Sequence, residues 1–291
     1  MLAQASALLA WLLAVLGSWT RINGAGLACP DWPLCHGSLV PALQGGVILE
    51  WSHRAVALTE SLVLLATLVA GFRLRRRVAG LWPTLLALVA VFALQVGLGG
   101  ATVLLGNSPI SVMLHWGTAM LLLAVLVTLA LLAILAPAND GTAVFAFGRA
   151  TGLLVAATVL AFLTSCLGAL VSASGAGLAC SGFPACDGSV LGATHAQYLQ
   201  MTHRLLAAAT FLCALPAAFT LPRAPARAKI ATSIALALVV LQIALGTANV
   251  LWSLPIALRE THAANAGATF SAFVVALLLT AYARPFPRAA R

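Results

Sequence analysis

Long apolar runs, broken by short polar stretches, make up most of the chain. Gly, Pro and charged residues mark off eight of them, near 2–20, 47–70, 81–104, 111–136, 149–172, 195–220, 229–252 and 258–283. A helix of roughly 20 apolar residues crosses a bilayer, so each run is long enough. The period-two alternation of a membrane barrel strand is absent. In lipid each backbone polar group must be satisfied within the protein, and a helix does this locally. The pattern therefore predicts an all-α integral membrane protein with eight transmembrane helices. The first run lacks the basic stretch of a secretory signal and is expected to be a mature helix.

The pattern also repeats. GAGLACPDWPLCHGS (24–38) returns as GAGLACSGFPACDGS (175–189), an offset of 175 − 24 = 151. WSHRAVA is followed by MTHRLLA, with His53 matching His203. LQVGLGGATVL then matches LQIALGTANVL, pairing Gln95 with Gln242, and His115 matches His262. Four spans per repeat is an even number, so the halves share one orientation. The expectation is a parallel repeat of two four-helix bundles about an axis along the membrane normal. The N-terminal half is residues 1–140 and the C-terminal half 141–291.

Composition agrees, with 62% hydrophobic and 7% charged residues, where a soluble domain carries about 25% charged. The formal charge of +9 is concentrated in Arg73, Arg75, Arg76 and Arg77, in Arg223, Arg227 and Lys229, and in Arg284, Arg288 and Arg291. These clusters follow the second, sixth and eighth runs, and Arg149 opens the fifth. This is the positive-inside pattern of cytoplasmic loops, and it excludes nucleic acid as the partner of the charge. It places both termini in the cytoplasm and the cysteine loops outside. Among small residues, Gly97 to Ala101 are expected on a lipid-facing surface that could meet another helix.

Four of the six histidines recur: His53, His115, His203 and His262. Each lies just inside an even-numbered run, so His53 and His115 share a depth, as do His203 and His262. Two imidazoles at one level across a bundle suit a six-coordinate haem, whose macrocycle supplies four nitrogens. Zinc fits less well, since no helical His-x-x-x-His or mixed Cys/His group is present. His36 and His195 do not recur and read as loop residues. Arg54 and Arg204 each follow a paired histidine. A guanidinium there could take a haem propionate or simply snorkel to the surface.

The halves differ at one acid. Glu50 lies three residues before His53, on the same helix face, and the matching residue is Gln200. Glutamine keeps shape and hydrogen bonding but does not titrate, so the first half is expected to do chemistry and the second to hold an electron-transfer or structural cofactor. Glu50 could instead pair with Arg54. Glu60, seven residues after His53, is a second candidate. Glu260 reads as a first-turn carboxylate favoured by the helix dipole. Cys29 with Cys35, and Cys180 with Cys186, sit in matching outward loops, where disulfides persist; thiol exchange remains the alternative. Cys166 and Cys213 read as small buried residues.

TRINGAGLACPDWPLCHG, EWSHR and LHWGTAM together resemble the haem A synthase (CtaA-type) family over nearly the whole chain. The resemblance implies an oxidoreductase that converts a ring methyl of haem O to the formyl group of haem A by successive hydroxylations. It implies Glu50 as the catalytic carboxylate, His53 and His115 as ligands of the substrate haem, and His203 and His262 as ligands of a haem b. It also implies a Cys29–Cys35 disulfide and, less securely, Cys180–Cys186. Haem O and haem A would be substrate and product, with a haem O synthase and an electron acceptor as protein partners, in a bacterial inner membrane. Three rivals stand beside it: a bis-His di-haem electron-transfer cytochrome, a parallel-repeat transporter and a thiol oxidoreductase.

Overall fold

The computed structural model describes residues 1–135, 144–145, 148–221 and 225–283. Arg223, Arg284, Arg288 and Arg291 lie outside the described residues, as does the expected boundary at residue 140. Eight helices account for most of the chain: α1 Leu2–Ile22, α2 Gly46–Leu74, α3 Leu81–Leu104, α4 Pro109–Leu135, α5 Arg149–Ala173, α6 His195–Phe219, α7 Ala226–Leu251 and α8 Ile256–Ala281. Among the described residues these eight are long and apolar enough to cross a membrane. Among the described residues the strand content is small, an antiparallel pair of two-residue strands, β1 (Val144–Phe145) with β2 (Tyr282–Ala283). The protein is a multi-pass membrane protein.

Local chemistry sets the helix ends. Gly80, at φ +78°, turns the chain into α3, a conformation that glycine adopts without a Cβ penalty. Pro109 opens α4, where its missing N–H costs nothing. Thr194 and Gln197 form a reciprocal capping box at the start of α6, which satisfies two otherwise orphaned N–H groups. His195 is therefore the first residue of a helix and not a loop residue. The largest boundary difference is at α2, which continues to Leu74 and takes Arg73 into the helix.

In the first half α1 packs on α2 and α4, α3 packs on α4, and α2 touches α3 lightly. The second half has the matching contacts, α5 with α6 and α8, and α7 with α6 and α8. Helices α1 and α4 meet α8, and α4 also meets α5. The most buried helices are α4 and α8, at 44% of their apolar windows against 17–22% elsewhere. Lipid tails are as apolar as leucine, so close packing and interhelical hydrogen bonds hold such helices together. Trp116 Nε1 donates to Ser165 Oγ at 2.7 Å, and Trp11 Nε1 to the Ala264 carbonyl at 3.2 Å. Arg21 donates to Ser172 Oγ at 2.7 Å. These two residues are repeat mates, since 172 − 21 = 151.

The expected lipid-facing patch at 97–101 is corrected in part. Gly97 is exposed, but Gly99 lies under the His115 ring and Gly100 under Trp32. Gly100 is covered because the first cysteine loop brings Trp32 over the end of α3, and Gly99 because α3 packs on α4.

Candidate functional site

The two cysteine loops are built alike. Cys29–Cys35 and Cys180–Cys186 are both disulfide-bonded, each with Cα atoms 4.7 Å apart. A short bridge closes each loop, Cys35 to Ser38 and Cys186 to Ser189. In the first loop Asp31 accepts the N–H groups of His36 (2.7 Å) and Gly37 (2.8 Å).

The Gly37 N–H is the largest of several influences that hold the Asp31 carboxyl below its ordinary 3.8. A carboxylate with a lowered folded pKa contributes stability that is fully present above its unfolded value, about 3.9. That contribution is lost as pH falls through the lower, folded value. Amide exchange in residues 31–37 is therefore expected to stay slow down to about pH 4 and to quicken only below it. In Asp31→Asn that acid-side step should be missing; a step of unchanged size would refute the assignment.

Glu50 and Gln200 do the same job at the loop roots. The Cys29 N–H donates to Glu50 Oε2 at 2.7 Å, and the Cys180 N–H to Gln200 Oε1 at 2.6 Å. Each residue is 4% exposed. The other Glu50 oxygen accepts from Arg54 at 2.7 Å, while the Gln200 amide donates to the Gly177 carbonyl at 2.8 Å. Glu50 thus pairs with Arg54, as its spacing allowed. Arg54 also donates to the carbonyls of Cys29, Asp31 and Leu34. Arg204 does the same with Gly182, Pro184 and Ala185. The arginines grip the disulfide loops, and the Arg204 Nη2 is left buried without a hydrogen bond.

All four repeated histidines lie about two turns inside the loop ends of α2, α4, α6 and α8. His203 and His262 face each other, with ring centroids 6.4 Å apart. His53 and His115 are near enough to interact electrostatically. The Nδ1 of His203 lies 3.0 Å from the Thr164 carbonyl. Gln242 bridges α7 and α8, with its amide nitrogen 3.2 Å from His262 Nε2 and 3.0 Å from the His262 carbonyl. Asn265 donates to the Gln242 oxygen at 2.7 Å.

The COX15-CtaA family, cytochrome oxidase assembly proteins, matches residues 1–47 and 44–274. The chain belongs to this family. A Heme A synthase of Bacillus licheniformis is 30% identical over 273 residues, covering 91% of this chain and 90% of that protein. One from Geobacillus kaustophilus is 28% identical over 98% of this chain and 92% of its own length. One from Symbiobacterium thermophilum is 35% identical over 62% of this chain and 61% of its own.

The relatives named above are Heme A synthases, and the spacing of the second-half histidines fits a haem. Two metal–imidazole bonds of about 2 Å plus the two ring radii span a distance like the 6.4 Å observed. The backbone bond at His203 Nδ1 leaves Nε2 without a backbone partner, as in histidines that bind a metal through Nε2. Among the described residues no cluster of three His, Cys, Asp or Glu side chains could hold a bare metal ion, so the macrocycle would have to supply the remaining donors.

Two sequence expectations are corrected here. Glu260 is not in the first turn of α8. It is 9% exposed and faces Ser18 and Arg21 across the contact between α8 and α1. Cys166 and Cys213 are free and only partly buried. Glu60 is 2% exposed, and neither of its oxygens has a partner among the described residues. The sequence reading missed four glycines, Gly17, Gly99, Gly168 and Gly246, each packed against one repeated histidine. The repeat carried the signal, because 168 − 17 = 151 and 246 − 99 = 147, the offsets of the motifs around them.

Proposed function

We propose that this chain is a haem A synthase, an oxidoreductase that converts a ring methyl of haem O to the formyl group of haem A. The N-terminal half holds the substrate haem between His53 and His115. The C-terminal half holds a haem b between His203 and His262. When bound, that haem b supplies electron transfer, chemistry that no side chain here can perform. The protein's own part is to hold the two macrocycles at one depth, exclude water, and place a proton acceptor beside one of them. That acceptor is Glu50. Arg54 and the Cys29 N–H fix the direction of its carboxylate, and the disulfide loop covers it. An electron acceptor and a haem O synthase are the expected partners.

The observation that carries this reading is the difference between Glu50 and Gln200. The two side chains make the same bond to the same cysteine N–H, yet only one can take a proton. Relatives named Heme A synthase that match over nine-tenths of the chain support it. The membrane is a bacterial inner membrane. Arg73, Arg75, Arg76, Arg77, Arg149, Arg227 and Lys229 lie at the end opposite the cysteine loops, a distribution that supports a cytoplasmic location for that end.

One observation favours the electron-transfer cytochrome: Glu50 does structural work that Gln200 does equally well. Co-expression with a haem O source, followed by chromatography and mass measurement of the extracted haems, separates the two. Haem A or a hydroxylated haem O beside haem b is the expected result. Two haems b per chain and nothing else would leave an electron carrier.

A further inference from the structure

Each repeated histidine rests on the helix that precedes its own, at a glycine. A Cβ built on Gly17 (α1) would lie 2.8 Å from His53 Cε1, and one on Gly168 (α5) 2.8 Å from His203 Cε1. On Gly99 (α3) and Gly246 (α7) the distances to His115 and His262 Cε1 are 3.1 Å. Real Cβ atoms almost never approach to 2.8 Å. An alanine at any of the four positions would have to push the ring away.

The four rings have a second neighbour in common, a backbone carbonyl. For His203 it is Thr164, 3.0 Å from Nδ1. For His53, His115 and His262 it is Leu13, Gln95 and Gln242. Each lies four residues before the glycine: 17 − 13, 99 − 95, 168 − 164 and 246 − 242 all equal 4. In an α-helix the carbonyl of residue i−4 accepts from the N–H of residue i, so a side chain at i stands over that carbonyl. Glycine leaves it open, and its second lone pair becomes available to a group from another helix. In the other three rings Nδ1 is buried and has no hydrogen-bond partner among the described residues. The Gln242 amide nitrogen, 3.2 Å from His262 Nε2, donates to the Gln242-facing ring at its other nitrogen, as a ring protonated on Nδ1 requires.

We infer that Gly17, Gly99, Gly168 and Gly246 are positioning residues, each opening a carbonyl notch that orients one histidine and keeps its proton on Nδ1. At His203 the lone pair of Nε2 is then free for a metal, while at His262 the Gln242 amide that now donates to Nε2 would have to turn aside first. The inference rests on the haem-binding reading above. It adds that the backbone of α1, α3, α5 and α7 orients all four rings, joined at His262 by the Gln242 side chain.

The test uses the full chain, purified after co-expression with a haem O source. Gly99→Ala and Gly168→Ala are compared with Gly97→Ala and Gly152→Ala, controls on the same two helices whose added Cβ meets nothing within 4 Å. The readouts are haem per chain, the type of haem extracted, and the low-spin ferric signals in electron paramagnetic resonance. Gly168→Ala is expected to shift or remove the haem b signal alone. Gly99→Ala should do so for the first-half haem alone. Haem per chain then falls by up to half, and the controls match the parent protein. Wild-type-like signals in Gly99→Ala and Gly168→Ala, or loss of both haems from either, would overturn the notch. If either variant does not fold, Gly246→Ala or Gly17→Ala takes its place in the same half.

Nitrogen NMR of the haem-free chain separates this idea from the haem reading. Nδ1-protonated His203 that becomes a mixture of tautomers in Gly168→Ala supports the notch, whether or not the parent protein binds haem. An unchanged tautomer rejects it. A parent protein without haem rejects the haem reading.

Discussion

Glu50→Gln is expected to lower haem A output by about 10²- to 10⁴-fold, the usual range for removing a general acid or base. Haem b and both disulfides should remain. The chain contains its own control for this substitution. Gln200 already accepts from the Cys180 N–H at 2.6 Å in the place where Glu50 accepts from the Cys29 N–H. A glutamine therefore holds a loop root of this design, and Glu50→Gln removes the titrating group and its ion pair with Arg54 while keeping the bond from the Cys29 N–H. Glu50→Ala would also strip the Cys29 N–H of its partner and mix the two effects. Extracted haems, measured by chromatography against haem b per chain, decide the matter. Output within tenfold of the parent protein would leave Glu50 with a structural role only.

Arg54→Ala should destabilise the first half far more than Arg204→Ala destabilises the second. Arg54 donates to three loop carbonyls and to Glu50, and the side chains of the ion pair are 16% and 5% exposed. Removing one partner of a buried ion pair costs about 3 kcal/mol, because the other charge is left without compensation. Arg204 also serves three carbonyls, but Gln200 is neutral and keeps both of its own bonds. That loss is about 1 kcal/mol. Thermal unfolding in detergent should show the difference. Adding Glu50→Gln to Arg54→Ala should return part of the loss, since the stranded charge goes with it. Equal losses at the two arginines would mean that the ion pair contributes nothing beyond the loop bonds.

The eight spans could be read from the sequence because lipid tolerates few polar residues along a helix, and punctuation alone marks the ends to within a few residues. The histidine pairs could be read because the repeat shows which four of six histidines matter. The arginines were harder. Sequence places Arg54 beside a candidate ligand and suggests a propionate, but the disulfide loop curls its carbonyls back onto the α2 end and takes those donors first. Glu260 was misplaced because its position depends on where α8 begins and on Arg21, 239 residues earlier in the chain. The four glycines were hidden among 24, and composition gives no means of choosing them. Only the repeat offset, or the sight of a ring lying on each, picks them out.

The hydrogen bond between Arg21 and Ser172 has a consequence for how the halves pair. Matched positions touch where two copies meet about a two-fold, so each residue there would face its own twin. Two free copies of the first half would bring guanidinium against guanidinium, which repel. Two copies of the second would set hydroxyl against hydroxyl and supply no cation. Two hydroxyls can bond to each other, so the repulsion falls on the arginine-bearing half alone, and the unlike pair relieves it. A first half carrying Arg21 would therefore pair less readily with a second copy of itself than with the serine-bearing half it meets here.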